Sequence, residues 1–249
     1  MKIQIMSDLH NEFGFSNIGR TDANIIIMAG DIDIKNKSIK WILNVFPDVP
    51  VIYVAGNHEY YHSEVDQVDA ELKKLCEGTN IHYLQRESVI IDGIKFIGGT
   101  LWTDFLLGGE GLKHYYMRYA LRAMNDFKIV HYGEKIFSPP DSVKIFKKTK
   151  QYFEQELKDD SFKGKKVIVT HHGPFAQAIG ENFQHSPLNP AFASDMTKFM
   201  EDYTPDVWVY GHTHGTFKDM DYYKTRVISN PKGYPHVTSA FLPDFTINL

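Results

Sequence analysis

The segment Lys2-Ile3-Gln4-Ile5-Met6-Ser7-Asp8-Leu9-His10 is a short apolar run that ends in a carboxylate and an imidazole. The run Lys2–Met6 is rich in β-branched residues and predicts a strand. In α/β proteins, ligands gather in the crevice beyond the carboxyl ends of the strands, so polar side chains at this point are candidates for a site. We interpret the alternation of an extended chain as placing Asp8 and His10 on the same side.

The same arrangement recurs four times along the chain. The further polar segments are Gly30-Asp31, Gly56-Asn57-His58-Glu59, Thr170-His171-His172 and Gly211-His212-Thr213-His214. The apolar runs before them are Asn24–Met28, Val51–Ala55, Lys166–Thr170 and Val207–Tyr210. Near-continuous apolar runs of this length are typical of strands buried on both faces of a sheet. The sequence therefore predicts an α/β protein that collects these polar side chains at one place.

The residue types of the five segments are those of metal ligands. Asp, His and Asn supply oxygen and nitrogen donors that suit divalent ions such as Mn, Fe, Zn, Ni or Co. Two such ions about 3.5–4 Å apart form a hydrolytic centre that acidifies a water and clamps phosphoryl oxygens. Asp31 is central in the set and is the natural bridge between the ions. His58 directly follows Asn57, so we interpret it as a proton donor to the leaving oxygen.

The five segments, in this order from Asp8 to His214, resemble the motif set of the calcineurin-like metallophosphoesterases. The resemblance implies an αββα sandwich of two mixed sheets with helices outside. It implies that the first metal is held by Asp8, His10 and His214. It implies that the second is held by Asn57, His171 and His212. Asp31 would bridge the ions, and His58 would be the catalytic histidine.

Two more segments are similar to those of small stand-alone bacterial members of that family. They are Leu101-Trp102-Thr103-Asp104-Phe105 and Asn230-Pro231-Lys232-Gly233-Tyr234. Within the second, Lys232 is a candidate for holding a phosphate near the metals, with a solvated turn lysine as the alternative.

Outside the motifs, we expect one domain over residues 1–249 with a helical insertion at about 103–140, beside the site. The insertion carries Arg118 and Arg122 at helical spacing. Arginine forks match phosphate, so both are candidates for substrate binding together with Asn125, and a solvated helix face is the alternative. Ser63 is expected to be the N-cap of a helix. Asp92-Gly93 predicts a two-residue hairpin turn.

Composition indicates a cytoplasmic protein that neither crosses a membrane nor binds nucleic acid stably. A net charge of −4 does not favour electrostatic binding to the phosphate backbone of nucleic acids. The single cysteine, Cys76, cannot form an internal disulfide, which is typical of a reducing compartment. No apolar run is long enough for a signal peptide or a membrane span. The oligomeric state is left open.

The function predicted from these residues is a dinuclear phosphoesterase that hydrolyses a small-molecule phosphodiester or phosphomonoester by attack of a metal-bound hydroxide. Three alternatives stay open: a nuclease, a nucleotide or lipid pyrophosphate hydrolase of the same superfamily, and a non-catalytic binding scaffold. Substrate and metal identity are not fixed by the motifs, because diesters and monoesters use the same metal core.

Overall fold

Two β-sheets are built from the apolar runs of the sequence. The computed structural model describes residues 1–180, 185–215, 217–236 and 238–249. Its strands are β1 (Lys2–Met6), β2 (Ile25–Ala29), β3 (Val51–Val54), β4 (Ile81–Tyr83), β5 (Glu87–Ile91), β6 (Ile94–Gly99), β7 (His131–Tyr132), β8 (Lys135–Ile136), β9 (Lys165–Thr170), β10 (Val207–Tyr210), β11 (Lys218–Tyr222), β12 (Thr225–Ser229) and β13 (Thr246–Asn248). Its α-helices are α1 (Lys37–Val45), α2 (Val65–Cys76), α3 (Lys113–Ala123), α4 (Asp126–Ile129), α5 (Pro139–Lys158), α6 (Asn189–Phe192) and α7 (Thr197–Tyr203).

The first sheet has five strands in the order β13-β1-β2-β3-β4. Strands β1 to β4 are parallel, and β13 is antiparallel to β1 at the edge. The second sheet has six strands in the order β11-β12-β10-β9-β6-β5, with β12, β10, β9 and β6 parallel and both edge strands antiparallel. Both sheets are therefore mixed, and the parallel strands deliver their carboxyl ends to one side of each.

The two sheets pack face to face with helices on both outer sides. The layer between them is apolar and includes Ile5 and Ile27 from the first sheet and Phe96 and Val167 from the second. Helices α1 and α2 cover the outer face of the first sheet. Helices α5 and α7 cover the outer face of the second, around the buried Trp208. The αββα sandwich expected from the sequence is confirmed.

The segment predicted as a helical insertion at 103–140 contains α3 and α4, but also the hairpin β7–β8. The prediction missed the hairpin because each strand is only two residues long, too short for an alternating pattern. Its aromatic side chains Phe105, Phe127 and Phe137 are buried against Trp102 rather than exposed. The insertion is thus packed onto the first sheet's outer layer.

The expected N-cap at Ser63 is wrong. Helix α2 begins at Val65, and its cap is Glu64, whose carboxylate accepts a hydrogen bond from the backbone N–H of Gln67. The Ser63 carbonyl instead accepts from the backbone N–H of His131 at 2.8 Å, and the chain is still extended at Glu64, with φ of −99° and ψ of 136°. The Asp92-Gly93 turn is confirmed, with φ of 47° and 80° between β5 and β6. None of the helices among the described residues is long and apolar enough to cross a bilayer.

Candidate metal centre

The predicted ligands lie in loops directly after β1, β2, β3, β9 and β10, and the backbone there is unusual. Asp8, His10, Asp31 and His212 have positive φ values of 54°, 49°, 53° and 69°. The extended chain expected at Asp8 and His10 is therefore wrong, although both side chains do face the same place. Left-handed backbone at non-glycine residues costs on the order of 1–3 kcal/mol each and clusters at functional sites. The fold sustains this strain at four ligand positions.

Two glycines are required by the close approach of these loops. A Cβ on Gly56 would lie 2.1 Å from Oδ1 of Asp31, and one on Gly211 would lie 2.7 Å from Oδ2 of Asp8. Both contacts are far shorter than any real Cβ contact, so a larger residue would push the carboxylates away. The glycines in these motifs thus make room for the ligand side chains.

The first ligand set consists of Asp8, His10, Asp31 and His214, whose donor atoms all lie within 4.8 Å of one another. Nε2 of His214 is 2.9 Å from Oδ1 of Asp8 and 3.0 Å from Nε2 of His10. Nε2 of His10 is 3.8 Å from Oδ2 of Asp31. Asp8, His10 and Asp31 are buried.

The second ligand set consists of Asp31, His171 and His212. Nε2 of His171 lies 3.3 Å from Oδ2 of Asp31 and 3.1 Å from Nδ1 of His212. The same nitrogen is 3.0 Å from Oδ1 of Asn57, which adds the amide oxygen to the set. Asp31 belongs to both sets, so its carboxylate lies between them.

These residues have the chemistry to hold divalent metal ions. In each set two imidazole nitrogens face each other at 3.0 or 3.1 Å, an arrangement that a shared cation satisfies better than a shared proton. Nδ1 of His171 donates to the carbonyl of Ala29 at 2.8 Å, which directs Nε2 toward the centre. Carboxylate oxygen, amide oxygen and imidazole nitrogen suit borderline divalent metals.

Electrostatics keep the shared carboxylate ionised. Burial alone would raise the pKa of Asp31, but the neighbouring His171, His58 and His10 hold that pKa well below its usual range. Burial lowers the pKa of His171, and attraction to Asp31 outweighs burial and raises the pKa to about 10. The pocket therefore stabilises positive charge beside Asp31, as a cation-binding site must.

His58 lies next to both sets but belongs to neither. Its Nδ1 is 2.8 Å from Oε1 of Glu12, and its Nε2 is 3.0 Å from the hydroxyl of Tyr234 and 4.0 Å from Oδ2 of Asp31. The ring of Tyr61 stacks on it at 4.2 Å. Burial lowers the pKa of His58, but Asp31 and Glu12 outweigh burial and raise the pKa to about 9. The geometry presents Nε2 to the space above the ligands.

Glu59 organises the loops rather than joining the ligands. Its carboxylate accepts hydrogen bonds from the backbone N–H groups of Asp31, Ile32 and Gly56 at 2.7–3.0 Å, and from the hydroxyl of Tyr53 at 2.9 Å. His172 also stays outside both sets. Its Nδ1 is 3.1 Å from the carbonyl of Thr100, and burial lowers its pKa to about 3.

Two acidic residues of the site were missed by the sequence reasoning. Glu12 follows His10 by two positions, and its proximity to that motif was the available signal. Asp126 at the start of α4 is buried and lies in the same cavity as Asn57 and His58. Burial raises the pKa of Asp126 to about 6. It lies outside every motif, and the only signal beside it in the sequence was Asn125, a candidate for substrate binding that lines the same cavity.

The three residues predicted to bind substrate are not brought to the metal ligands. Arg118 and Arg122 line an adjoining depression along α3, which meets the cavity over the ligands at Ala123. Lys232 donates from Nζ to the carbonyl of Leu9 at 3.2 Å and to the hydroxyl of Ser16 at 2.8 Å. Through these two hydrogen bonds, Lys232 stabilises the loop that carries Asp8 and His10. The role of all three in substrate binding stays a prediction.

Comparisons with solved structures agree with this architecture. A phosphopantetheinyl hydrolase of Mycobacterium tuberculosis superposes with a TM-score of 0.72 and 18% identity, over 94% of this chain and 90% of its own. A dimetal phosphatase of Danio rerio superposes with a TM-score of 0.53 and 10% identity, over 97% of this chain and 89% of its own. At these identities the likeness shows the fold alone.

Sequence comparison identifies the family. An uncharacterised protein of Acanthamoeba polyphaga mimivirus is 28% identical over 275 aligned positions, covering 97% of this chain and 94% of its own. The family model described as calcineurin-like phosphoesterase matches residues 1–216, which include every predicted ligand. The chain therefore belongs to the calcineurin-like phosphoesterase family.

Proposed function

We propose that the protein is a dinuclear metal-dependent phosphoesterase that hydrolyses phosphate esters of small molecules. The observation that carries this proposal is the pair of ligand sets that share Asp31. When bound, the two ions would acidify a water and neutralise the phosphoryl oxygens. The ligand set suits Mn, Fe, Zn, Ni or Co, and the chain's own donors do not choose among them.

The chain's own residues would position and protonate the substrate. An oxygen from water would bond to phosphorus while the ester P–O bond breaks. Nε2 of His58 faces the reaction space because Nδ1 is held by Glu12. We assign to His58 the transfer of a proton from Nε2 to the departing oxygen. Tyr61, stacked on the ring, would keep the imidazole in that orientation.

We also propose that the substrate is small and that the protein works in the cytoplasm. The net charge of −4 disfavours a nuclease, which must hold an extended polyanion. Cys76 is a free, buried thiol, as expected for a reducing compartment. The neighbour from Mycobacterium tuberculosis is named for a phosphopantetheinyl substrate. That group therefore belongs in the substrate panel beside nucleotides.

The test is turnover by metal-stripped protein reconstituted separately with Mn, Zn, Ni and Mg. The substrates are bis-p-nitrophenyl phosphate, a diester, and p-nitrophenyl phosphate, a monoester. We expect at least one to be hydrolysed only with metal, and Asp31→Asn to lower kcat by about 100-fold or more, since it removes the bridging charge.

Asp33→Asn is the matched control, because Asp33 is a buried carboxyl in the same loop that lies in neither ligand set. This control should keep near wild-type turnover. Full activity of Asp31→Asn in metal-replete buffer would contradict the shared-carboxylate centre. Two bound ions without turnover of any ester would favour the non-catalytic scaffold.

A further inference from the structure

A cavity of about 490 Å³ opens over the metal ligands. Its lining includes Asp31, Asn57, His58, His212 and His214. A phosphoryl group held by the metals would therefore lie beside these residues, and the rest of the molecule would occupy the remaining space. The other lining residues then report the chemistry of the organic group of the substrate.

Several of these other lining residues are apolar. Met124 follows the end of α3, Ile179 follows a short turn after β9, and Leu188 and Phe192 flank and end α6. The ring of Phe192 lies 4.5 Å from the ring of His212, so apolar surface begins directly beside a metal ligand. An organic group attached to the phosphate would meet hydrocarbon within one or two bonds.

Among the described residues that line the cavity, there is no lysine or arginine that could pair with a second phosphate. Arg118 and Arg122 line an adjoining depression, which meets this cavity at Ala123. Nζ of Lys232 donates hydrogen bonds to the carbonyl of Leu9 and to the hydroxyl of Ser16.

An acidic side chain lines the same space. Asp126 is 2% exposed, and its Oδ1 has no hydrogen-bond partner among the described residues. A buried carboxylate oxygen without a partner repels a further anionic group and favours an O–H or N–H donor. Both effects select against nucleoside polyphosphates and other esters with several phosphates.

Building on the proposed function, we propose that the substrate is an ester of a single phosphate with an uncharged, largely apolar organic group. That group carries a hydroxyl or amide N–H that reaches Asp126. The apolar part of the group packs on Met124, Leu188 and Phe192 while the phosphate lies at the metal ligands. Burial of hydrocarbon supplies the affinity, and the donor to Asp126 supplies orientation.

The experiment is a chain-length series of alkyl p-nitrophenyl phosphates, with methyl, butyl and hexyl groups, assayed with the reconstituted enzyme. All share one leaving group, so the chemical step is constant and differences report the alkyl group. We expect kcat/KM to rise by about threefold per methylene while the chain stays on the apolar wall. A series without any rise would overturn the proposal.

Two lining residues test where the alkyl chain lies. Leu188→Gln and Met124→Gln should each lower the hexyl-to-methyl ratio of kcat/KM by about fivefold or more, mainly through KM. Leu121→Gln is the matched control, since Leu121 is exposed on α3 and does not line the cavity. An unchanged ratio in both lining variants would place the chain elsewhere and overturn the proposal.

A third experiment tests the effect of a second phosphate by comparing thymidine 5′-(p-nitrophenyl phosphate) with and without a 3′-phosphate. The added phosphate should lower kcat/KM by about tenfold, and Asp126→Asn should reduce that penalty, because a like charge has been removed. Faster hydrolysis of the 3′-phosphorylated compound would overturn the proposal. If no ester, bis-p-nitrophenyl phosphate included, is hydrolysed with any metal, the proposed function itself fails. A flat alkyl series with normal turnover leaves that function standing and removes only this inference.

Discussion

A single carboxylate oxygen, Oε1 of Glu12, lies 2.9 Å from Nδ1 of His10 and 2.8 Å from Nδ1 of His58. Burial would raise the pKa of Glu12, but hydrogen bonds from the two histidines outweigh burial and lower the pKa to about 2. The residue touches neither the proposed substrate position nor the second ligand set. It is a positioning residue that fixes two imidazoles at once, one a candidate ligand and the other the candidate proton donor.

Glu12→Gln is therefore expected to lower kcat by about 10–100-fold and to weaken metal binding at the first ligand set. The measurement is turnover of bis-p-nitrophenyl phosphate across a Mn titration, so that loss of metal and loss of rate are separated. In a protein that already carries His58→Ala, Glu12→Gln should lower kcat much less at saturating metal. The reason is that the effect of Glu12 on His58 has already been removed. Glu134→Gln, in an exposed turn, is the control. Wild-type kinetics in Glu12→Gln would show that the shared contact is not needed.

The sequence alone could place some residues in the candidate site and could not place others. The candidate ligands could be identified because each follows a predicted strand and has a metal-binding residue type, and the structure brings them within reach of one another. Asp126 could not, since only the packing of the insertion places it beside Asn57 and His58. The contacts of Lys232 depend on pairing across the whole chain, which local sequence does not encode.

At the scale of elements, α5 is tied to the second sheet by a nearly buried ion pair. Lys95 on β6 is buried, and its Nζ lies 2.7 Å from Oε2 of Glu156 on α5. Burial would raise the pKa of Glu156, but hydrogen bonds from Lys95 and Ser88 outweigh burial and lower the pKa. A carboxyl whose pKa is depressed on folding contributes stability above its unfolded pKa, and that stability is lost as the pH falls.

Lys95→Met should lower the free energy of unfolding by about 1–2 kcal/mol at pH 7, discounted from the value for a fully buried pair because Glu156 is partly exposed. The loss should begin to shrink as the pH falls below the unfolded pKa of about 4.3, and it should vanish once Glu156 is protonated even beside its partner. Urea unfolding of the metal-free protein, at pH 7 and at a pH below that unfolded pKa, measures the free energy of unfolding. Lys163→Met, at an exposed position, is the control. A loss that is equal at both pH values would show that the ion pair is not its source.

The burial of the strands explains why some of them were predicted from the sequence and others were missed. β2, β3 and β10 are buried along their whole length, so their apolar runs were visible in the sequence. β11 is an edge strand with the sequence Lys-Asp-Met-Asp-Tyr, alternately half-buried and exposed, and was missed. β13 is only three residues long, and its place at the edge of the first sheet is set by its antiparallel pairing with β1.

At the scale of the whole molecule, the candidate centre couples metal binding to stability. The ligands come from five loops on two sheets, so unfolding separates them and releases any bound ion. Adding Mn at about 100 times its Kd should stabilise the native state by about 2.7 kcal/mol. For a chain of this size, that corresponds to a rise in Tm of roughly 5–10 °C.

Thermal unfolding with and without Mn provides the measurement. Asp31→Asn should lose most of the rise in Tm, and Asp33→Asn should keep it, because only Asp31 belongs to both ligand sets. An equal rise in the wild type and in Asp31→Asn would mean that the stabilising ion binds elsewhere.

The contacts of Lys232 and Gly233 with the loop that carries Asp8 have a consequence for biosynthesis. Lys232 contacts the carbonyl of Leu9 across a separation of 223 positions, and the backbone N–H of Gly233 donates to the carbonyl of Asp8 at 2.9 Å. The ribosome makes Asp8 and His10 long before the residues that fix their loop. A growing chain thus carries two candidate ligands without the contacts that hold their loop in place. We therefore expect a metal ion to be held in the final geometry only after residues 230–233 have been made and docked.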